Sequence, residues 1–238
     1  MATDLFLVRH GESLASLRRV VGGIRGDAGL SDGGRLQGRL LEQRLRDDGF
    51  HADWLYTSAL PRARETAEYV ARAVGRSARV HDGLAEIRPG EADGLSIEDW
   101  RRAYPPVMLG GSEDPFAPFS PGGESWATFL TRAGSTLSRL VVEHEGERVV
   151  AVTHGGVVAA SFYLAFGLGA TSVAAELATE NTSITHWRHE QTLNGQAAWT
   201  LVTFNDAHHL AVREVAVEER QHADGPGLQP VPGAVRFL

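Results

Sequence analysis

The stretch LFLVRHGES, residues 5–13, runs through four apolar residues and stops on Arg9, His10 and Gly11. A second run, RVVAVTHGG at 148–156, ends the same way, on His154 and the glycines 155 and 156. Between them SALPRARET at 58–66 contributes Arg62, and AEIRPGEADG at 85–94 contributes Glu86. Cations, imidazoles and one carboxylate together suit a phosphate ester. An imidazole attacks phosphorus only when neutral, and a neighbouring positive charge lowers a histidine pKa by disfavouring the charged ring. Arg9 beside His10 has that effect. The guanidinium groups of Arg9 and Arg62 can also grip phosphoryl oxygens bidentately and stabilise the charge of a phosphoryl group in transfer.

The elements that must position these residues are legible in the patterning. Residues 4–9 read as a buried strand that places His10 at its C-terminal end. Six glycines between 22 and 34 mark a loop, after which Ser31 caps a helix carrying Leu36, Leu40, Leu41 and Leu45 at helical spacing. ADWLYTS is a second strand. Pro61 suits the first turn of the helix that follows it, with Ala63, Ala67, Val70, Ala71 and Val74 as its apolar stripe. A helix over about 123–145 leads into the β-branched strand before His154 and an apolar helix after it. SITHW and AAWTLVTF read as later strands, antiparallel neighbours. Alternating strands and helices predict an α/β fold, a mainly parallel central sheet with helices on both faces. Such sheets bind ligands at the carboxyl ends of their strands, so His10 and His154 should meet at one edge.

Composition narrows the classes further. With 238 residues and 42% hydrophobic content the chain can bury a substantial core. A formal net charge of -7 disfavours nucleic acid as a partner. The absence of cysteine excludes disulfides and thiolate chemistry. No apolar run approaches the roughly 20 residues that span a bilayer, so no membrane partner is expected and a cytoplasmic location is. Residues 1–220 read as one domain without internal repeats. Its Pro- and Gly-rich segment at about 103–125 reads as a loop insertion able to cover the site, and 221–238 reads as a loose tail.

RHGES, SxxxR, a downstream glutamate and THGG, in that order from about residue 4 to about 205, resemble the histidine phosphatase superfamily, also called the phosphoglycerate mutase-like family. The resemblance implies that His10 is the nucleophile that becomes a phosphohistidine, that Arg9 and Arg62 bind the phosphate, and that His154 is the second histidine of the pocket. It implies Glu86 as proton donor, a task worth about 10²–10⁴-fold in such reactions. Arg9, Ser16, Arg62, His154 and Gly155 are the expected substrate-binding positions, with Asn181 of ENTSITHW near the pocket. The family often carries asparagine where this chain has Ser16, a shorter group with one hydroxyl donor. The expected activity is a metal-independent phosphomonoesterase acting on a small phosphorylated metabolite. No cofactor is expected, and a homodimer is common for folds of this resemblance. Phosphoglycerate mutase chemistry is the alternative, disfavoured because the acid lies in EIRPG where mutases tend to carry an ERxYG-like segment. A phosphate-binding module without catalysis is a third reading.

Glu91 and Asp93 compete with Glu86 in the same polar loop. His208 and His209 read as surface imidazoles at a strand end, not metal ligands, because adjacent side chains there point to opposite faces. Trp187 and Trp199 read as packing residues. Met108, Phe116 and Phe119 read as packing under the insertion ahead of a leaving-group pocket.

Overall fold

The computed structural model describes residues 1–104, 114–169, 177–191 and 197–211. The expected tail, and Met108 with the middle of the expected insertion, lie outside the described residues.

Among the described residues six strands form one sheet: β1 (Thr3–Arg9), β2 (Trp54–Thr57), β3 (Arg79–Val80), β4 (Arg148–Thr153), β5 (Ile184–Gln191) and β6 (Ala197–Asp206), in the order β3-β2-β4-β1-β5-β6. β3, β2, β4 and β1 run parallel, while β5 and β6 are antiparallel to their neighbours. The sheet is therefore mainly parallel, and SITHW and AAWTLVTF are adjacent antiparallel strands.

Alternation along β1 assigns its side chains to two cores. Leu5 and Leu7 pack with Val149, Ala151, Phe129, Leu137 and Val157, on the face covered by α5 (Trp126–Glu143) and α6 (Gly155–Phe166). Phe6 and Val8 pack with Val150, Val152, Leu41, Ala63 and Val70, on the face covered by α2 (Asp32–Asp47) and α3 (Pro61–Val74). Both faces of β1 are thus dry, which is why its sequence is a continuous apolar run. Trimming such a fully buried side chain, for example Leu7→Ala, typically costs about 2–5 kcal/mol.

Local signals fix the helix boundaries. Ser31 accepts the Gly34 N–H and starts α2, and Pro61 opens α3, which ends at Gly75 with φ 64°. Glycine is needed there because a Cβ disfavours the left-handed region. α5 begins three residues later than expected, because Ser125 and Thr128 form a reciprocal capping box after the Pro121–Gly123 turn. Shorter helices among the described residues are α1 (Leu14–Leu17), capped by Ser13, and α4 (Ile97–Ala103), capped by Ser96.

Residues 114–125 hold no regular helix or strand. Phe119 is buried there and stacks on Trp100 at 4.5 Å between ring centroids, whereas Phe116 is exposed. Trp187 is fully buried with Trp199 edge-on to it, so both are packing residues. Among the described residues no helix is long and apolar enough to cross a membrane.

His209 corrects the expectation of two surface imidazoles. Residues 208–211 form a helical turn instead of continuing a strand, and this turns His209 into the protein, where it is buried. His208 stays outside, paired with Asp206 at 2.8 Å.

Candidate active site

Parallel pairing of β1 with β4 sets Arg9 opposite Thr153, and the next residue on each strand is a histidine. The His10 N–H donates to the Thr153 carbonyl at 2.9 Å, continuing the ladder one step past the strands. The two imidazoles consequently lie side by side, centroids 5.0 Å apart, both buried.

Hydrogen bonds fix the tautomer of His10. Nδ1 lies 2.7 Å from the Gly11 carbonyl, which can only accept, so Nδ1 carries the proton. Nε2 is left with its lone pair, which accepts the Nε–H of Arg62 at 3.0 Å. Burial pushes the His10 pKa well below 6.5, and the charges of Arg62 and Arg9 push it further, against the bond to Gly11. Burial is thus the larger cause, with the neighbouring cations acting in the sense expected from the sequence. His154 is held low by burial and then by Arg62, His10, Arg9 and Arg132. Its Nε2 pairs with Ser58 Oγ at 2.8 Å, and its buried Nδ1 has no partner among the described residues.

Arg62 sits in the first turn of α3, buried against the glycine-rich loop. Its Nη1 donates to the Gly22 carbonyl at 2.8 Å and to Asp27 Oδ2 at 2.9 Å. Asp27 also accepts the Arg62 and Gly29 N–H groups, so one buried carboxylate ties this loop to α3. Gly22 lies so close that a Cβ there would stand 3.2 Å from Nη1.

Arg9 projects toward the chain beyond α6, where Nη1 donates to the Thr179 carbonyl; its Nε is buried without a partner among the described residues. Burial lowers its pKa, opposed by the carboxylates of Glu86 and Glu180. Gly155 lies beside it, with the position of an added Cβ 3.7 Å from Nε.

Glu86 follows a 3-10 turn at Asp82–Leu84 and reaches the start of α6. Its oxygens accept the N–H groups of Ile87 at 3.0 Å and Gly156 at 3.1 Å. A helix N-terminus favours an anionic side chain, which is one reason the carboxylate settles there. Arg132 of α5 fixes the same loop from below, donating to the carbonyls of Gly83, Ala85 and Glu86 while gripping both oxygens of Glu124 at 2.7 Å. Arg132 and the Arg88 N–H hold the Glu124 carboxyl below the usual range although burial opposes them. The competing acids are engaged elsewhere: Asp93 accepts the Arg25 and Gly26 N–H groups, and Glu91 accepts from Tyr104.

The structure therefore brings Arg9, His10, Arg62, Glu86, His154 and Gly155 to one end of the sheet. Ser16 is half-buried, its hydroxyl bonded to Ser13 at 2.9 Å, and no described hydrogen bond joins it to that group. Asn181 donates to the His10 carbonyl at 2.9 Å. No pattern in the sequence marks Asp27, Thr179 or Arg132. The first is one acid in a glycine-rich loop, the second acts through a backbone carbonyl, and the third is one arginine among many on an amphipathic helix.

A cluster of this kind can receive a dianion between guanidinium groups, present an unprotonated imidazole nitrogen to it, and hold an acid nearby. The histidine phosphatase superfamily (branch 1) matches the chain over residues 5–207. Phosphoglycerate mutase-like protein 4 of Arabidopsis thaliana is 32% identical over 209 residues, covering 87% of this chain and 86% of that protein. The metal-independent phosphoserine phosphatase of the same plant is 29% identical over 215 residues, covering 88% and 84%. Among solved structures, a mycobacterial glucosyl-3-phosphoglycerate phosphatase complexed with VO3 superposes with a TM-score of 0.72 at 25% identity, over 85% of this chain and 99% of that one.

Proposed function

The chain belongs to the histidine phosphatase superfamily (branch 1), and from that premise we propose that it hydrolyses the phosphomonoester of a small metabolite, without a metal, through a phosphohistidine on His10. The protein is a phosphatase; the route and the substrate class are our reading. The observation that carries it is the Nε2 of His10, unprotonated, buried and aimed at the guanidinium of Arg62.

An incoming phosphoryl group takes over the Arg62 Nε–H for one of its oxygens and presents phosphorus to Nε2. Arg9 and Arg62 hold its charge, and in a buried site such charge-assisted bonds are stronger than in water. The N–P bond forms as the ester O–P bond breaks, and the leaving oxygen takes a proton from the Glu86 carboxyl. Water then attacks phosphorus, the N–P bond breaks, and its proton returns to Glu86. His154, neutral and held by Ser58, is a second donor or acceptor beside the phosphoryl group without adding positive charge.

A small phosphorylated acid fits the relatives named above, whose substrates by name are phosphoserine and glucosyl-3-phosphoglycerate. The cytoplasm is the expected site of such a reaction. One relative is named phosphoglycerate mutase-like, which supports a second reading, return of the phosphoryl group to a phosphoglycerate instead of to water.

Phosphate release from a panel of phosphomonoesters, with and without chelator, separates these readings when run on the wild type and His10→Ala. Chelator-resistant release lost in His10→Ala is expected. Interconversion of phosphoglycerates after bisphosphoglycerate priming, without release, would favour the mutase reading; tight binding of esters with neither reaction would favour a binding module.

A further inference from the structure

His209 lies two residues beyond the family match and outside the cluster around His10. Its Nε2 stands 3.0 Å from Oγ1 of Thr182, and its Nδ1 stands 3.4 Å from Nη1 of Arg44 on α2. The direction of these bonds is determined. A guanidinium only donates, so Nδ1 accepts, Nε2 carries the proton and donates to Thr182, and the Thr182 hydroxyl donates in turn to the Asn181 carbonyl at 2.6 Å. Arg44 is held in turn by Asp206 at 2.5 Å and by Asp48 at 3.4 Å.

The relay ends on a strained corner. Thr182 has φ 59°, a left-handed conformation that a β-branched residue adopts only where its surroundings over-determine it. That conformation turns the Thr182 N–H onto the Arg9 carbonyl at 3.0 Å and the His10 carbonyl at 3.3 Å, and it sets the Asn181 amide on the His10 carbonyl at 2.9 Å.

We propose that His209 is a positioning residue for His10, clamping the Thr182 corner that holds the main chain of Arg9 and His10. Among the described residues no hydrogen bond joins His209 to Arg9, His10, Arg62 or His154, so it acts through Thr182 and Asn181. Its kinetic consequence rests on the reading of His10 as nucleophile; its effect on the main chain rests on geometry alone. The relay requires the neutral ring, because a proton on Nδ1 would face the N–H groups of Arg44. The groups facing His209 are Arg44 from α2, Asp206 and His208 from the end of β6, and Thr182 ahead of β5. Burial, Arg44 and His208 lower its pKa to about 4 against Asp206, so the relay persists through neutral pH.

The test is to compare wild type, His209→Ala and His209→Gln in the full chain by steady-state hydrolysis of p-nitrophenyl phosphate. Amide hydrogen exchange is followed in parallel over peptides containing His10 and Thr182. His209→Ala should lower kcat by roughly 10- to 100-fold with KM little changed, the scale of a misplacement near 1 Å. It should also speed exchange at Thr182. His209→Gln, whose amide can still donate to Oγ1, should recover most of both. Unchanged kcat and exchange in His209→Ala would overturn the proposal. So would equal losses in the two variants, or a loss that only tracks the unfolded fraction seen by circular dichroism. If His209→Ala does not fold, Thr182→Ala removes the same link and is read in the same way. A wild type that hydrolyses no ester would sink the phosphatase reading, while the exchange data would still decide the positioning role.

Discussion

The Nε–H of Arg62 points at Nε2 of His10 from 3.0 Å, while the opposite nitrogen of the ring donates its N–H to the Gly11 carbonyl. The cation that reinforces burial in keeping the imidazole neutral therefore also marks the nitrogen that is free to react. A histidine so placed should not titrate near its ordinary value of about 6.5. In an NMR titration the His10 Cε1–H resonance should stay at its neutral position as the pH falls through about 6.5, and an inflection there would contradict the bonding described.

The same burial has a consequence for stability. His10, His154 and His209 all have folded pKa values below the unfolded one, the last at about 4. Above about 6.5 neither state binds a proton at these rings; below it the unfolded chain binds protons that the folded chain refuses. The stabilisation is thus complete above the unfolded value and is lost as the pH falls from there through the folded values. Calorimetric melting temperatures should decline on acidification from pH 7 toward pH 4, and His209→Gln should have a shallower decline over that interval.

Asp27 is the buried counter-charge of Arg62, and Asp27→Ala leaves that guanidinium uncompensated. Breaking a buried pair from one side typically costs about 3–5 kcal/mol. Chemical denaturation should show a loss of that order, with a fall in turnover because Arg62 is no longer held toward His10. Excess inorganic phosphate should restore part of the melting temperature by supplying the missing negative charge; no response to phosphate would argue that Arg62 does not face the substrate.

Gly156 leaves room for Glu86. A Cβ at that position would stand 2.2 Å from Oε1 and 3.0 Å from the Phe129 ring, so Gly156→Ala must displace the carboxyl. The loss of turnover should depend on the leaving group. Alkyl phosphates, whose alkoxides need a proton, should slow by about 10²–10⁴-fold, and p-nitrophenyl phosphate, whose leaving group needs none, far less. Glu86→Gln should give the same split, and a uniform loss across leaving groups would remove Glu86 from the role of donor.

Much of this arrangement was legible in the sequence where side-chain type and spacing carry the signal. The apolar run before His10, the Ser31 cap, Pro61 at a helix start and the second strand ending on His154 all reappear in the structure. What escaped depends on tertiary contact. Asp27 meets Arg62 across 35 residues of chain, from a loop whose glycines give it no period. Arg9 is held by the Thr179 carbonyl, and a backbone group leaves no trace in residue type. Strand alternation at 208 and 209 gives no sign of burial, because the chain leaves β6 at Asp206 and the turn that follows buries the second imidazole of the pair. The antiparallel β5 and β6 modify the parallel sheet, and the residues leading into β5 bond the main chain of Arg9 and His10 where β1 ends.

The spacing of those two rings has a source of its own. They follow paired residues of adjacent parallel strands, whose separation is set by the hydrogen-bond ladder at about 4.8 Å, and their centroids stand 5.0 Å apart. The gap between the imidazoles is one rung of the sheet. Loops around the site can lengthen, shorten or change composition to admit another ester without altering that rung. Widening it would require prising β1 from β4 in the centre of the molecule, so the chemistry is anchored to the most resistant part of the fold while the choice of substrate is left to its most replaceable part.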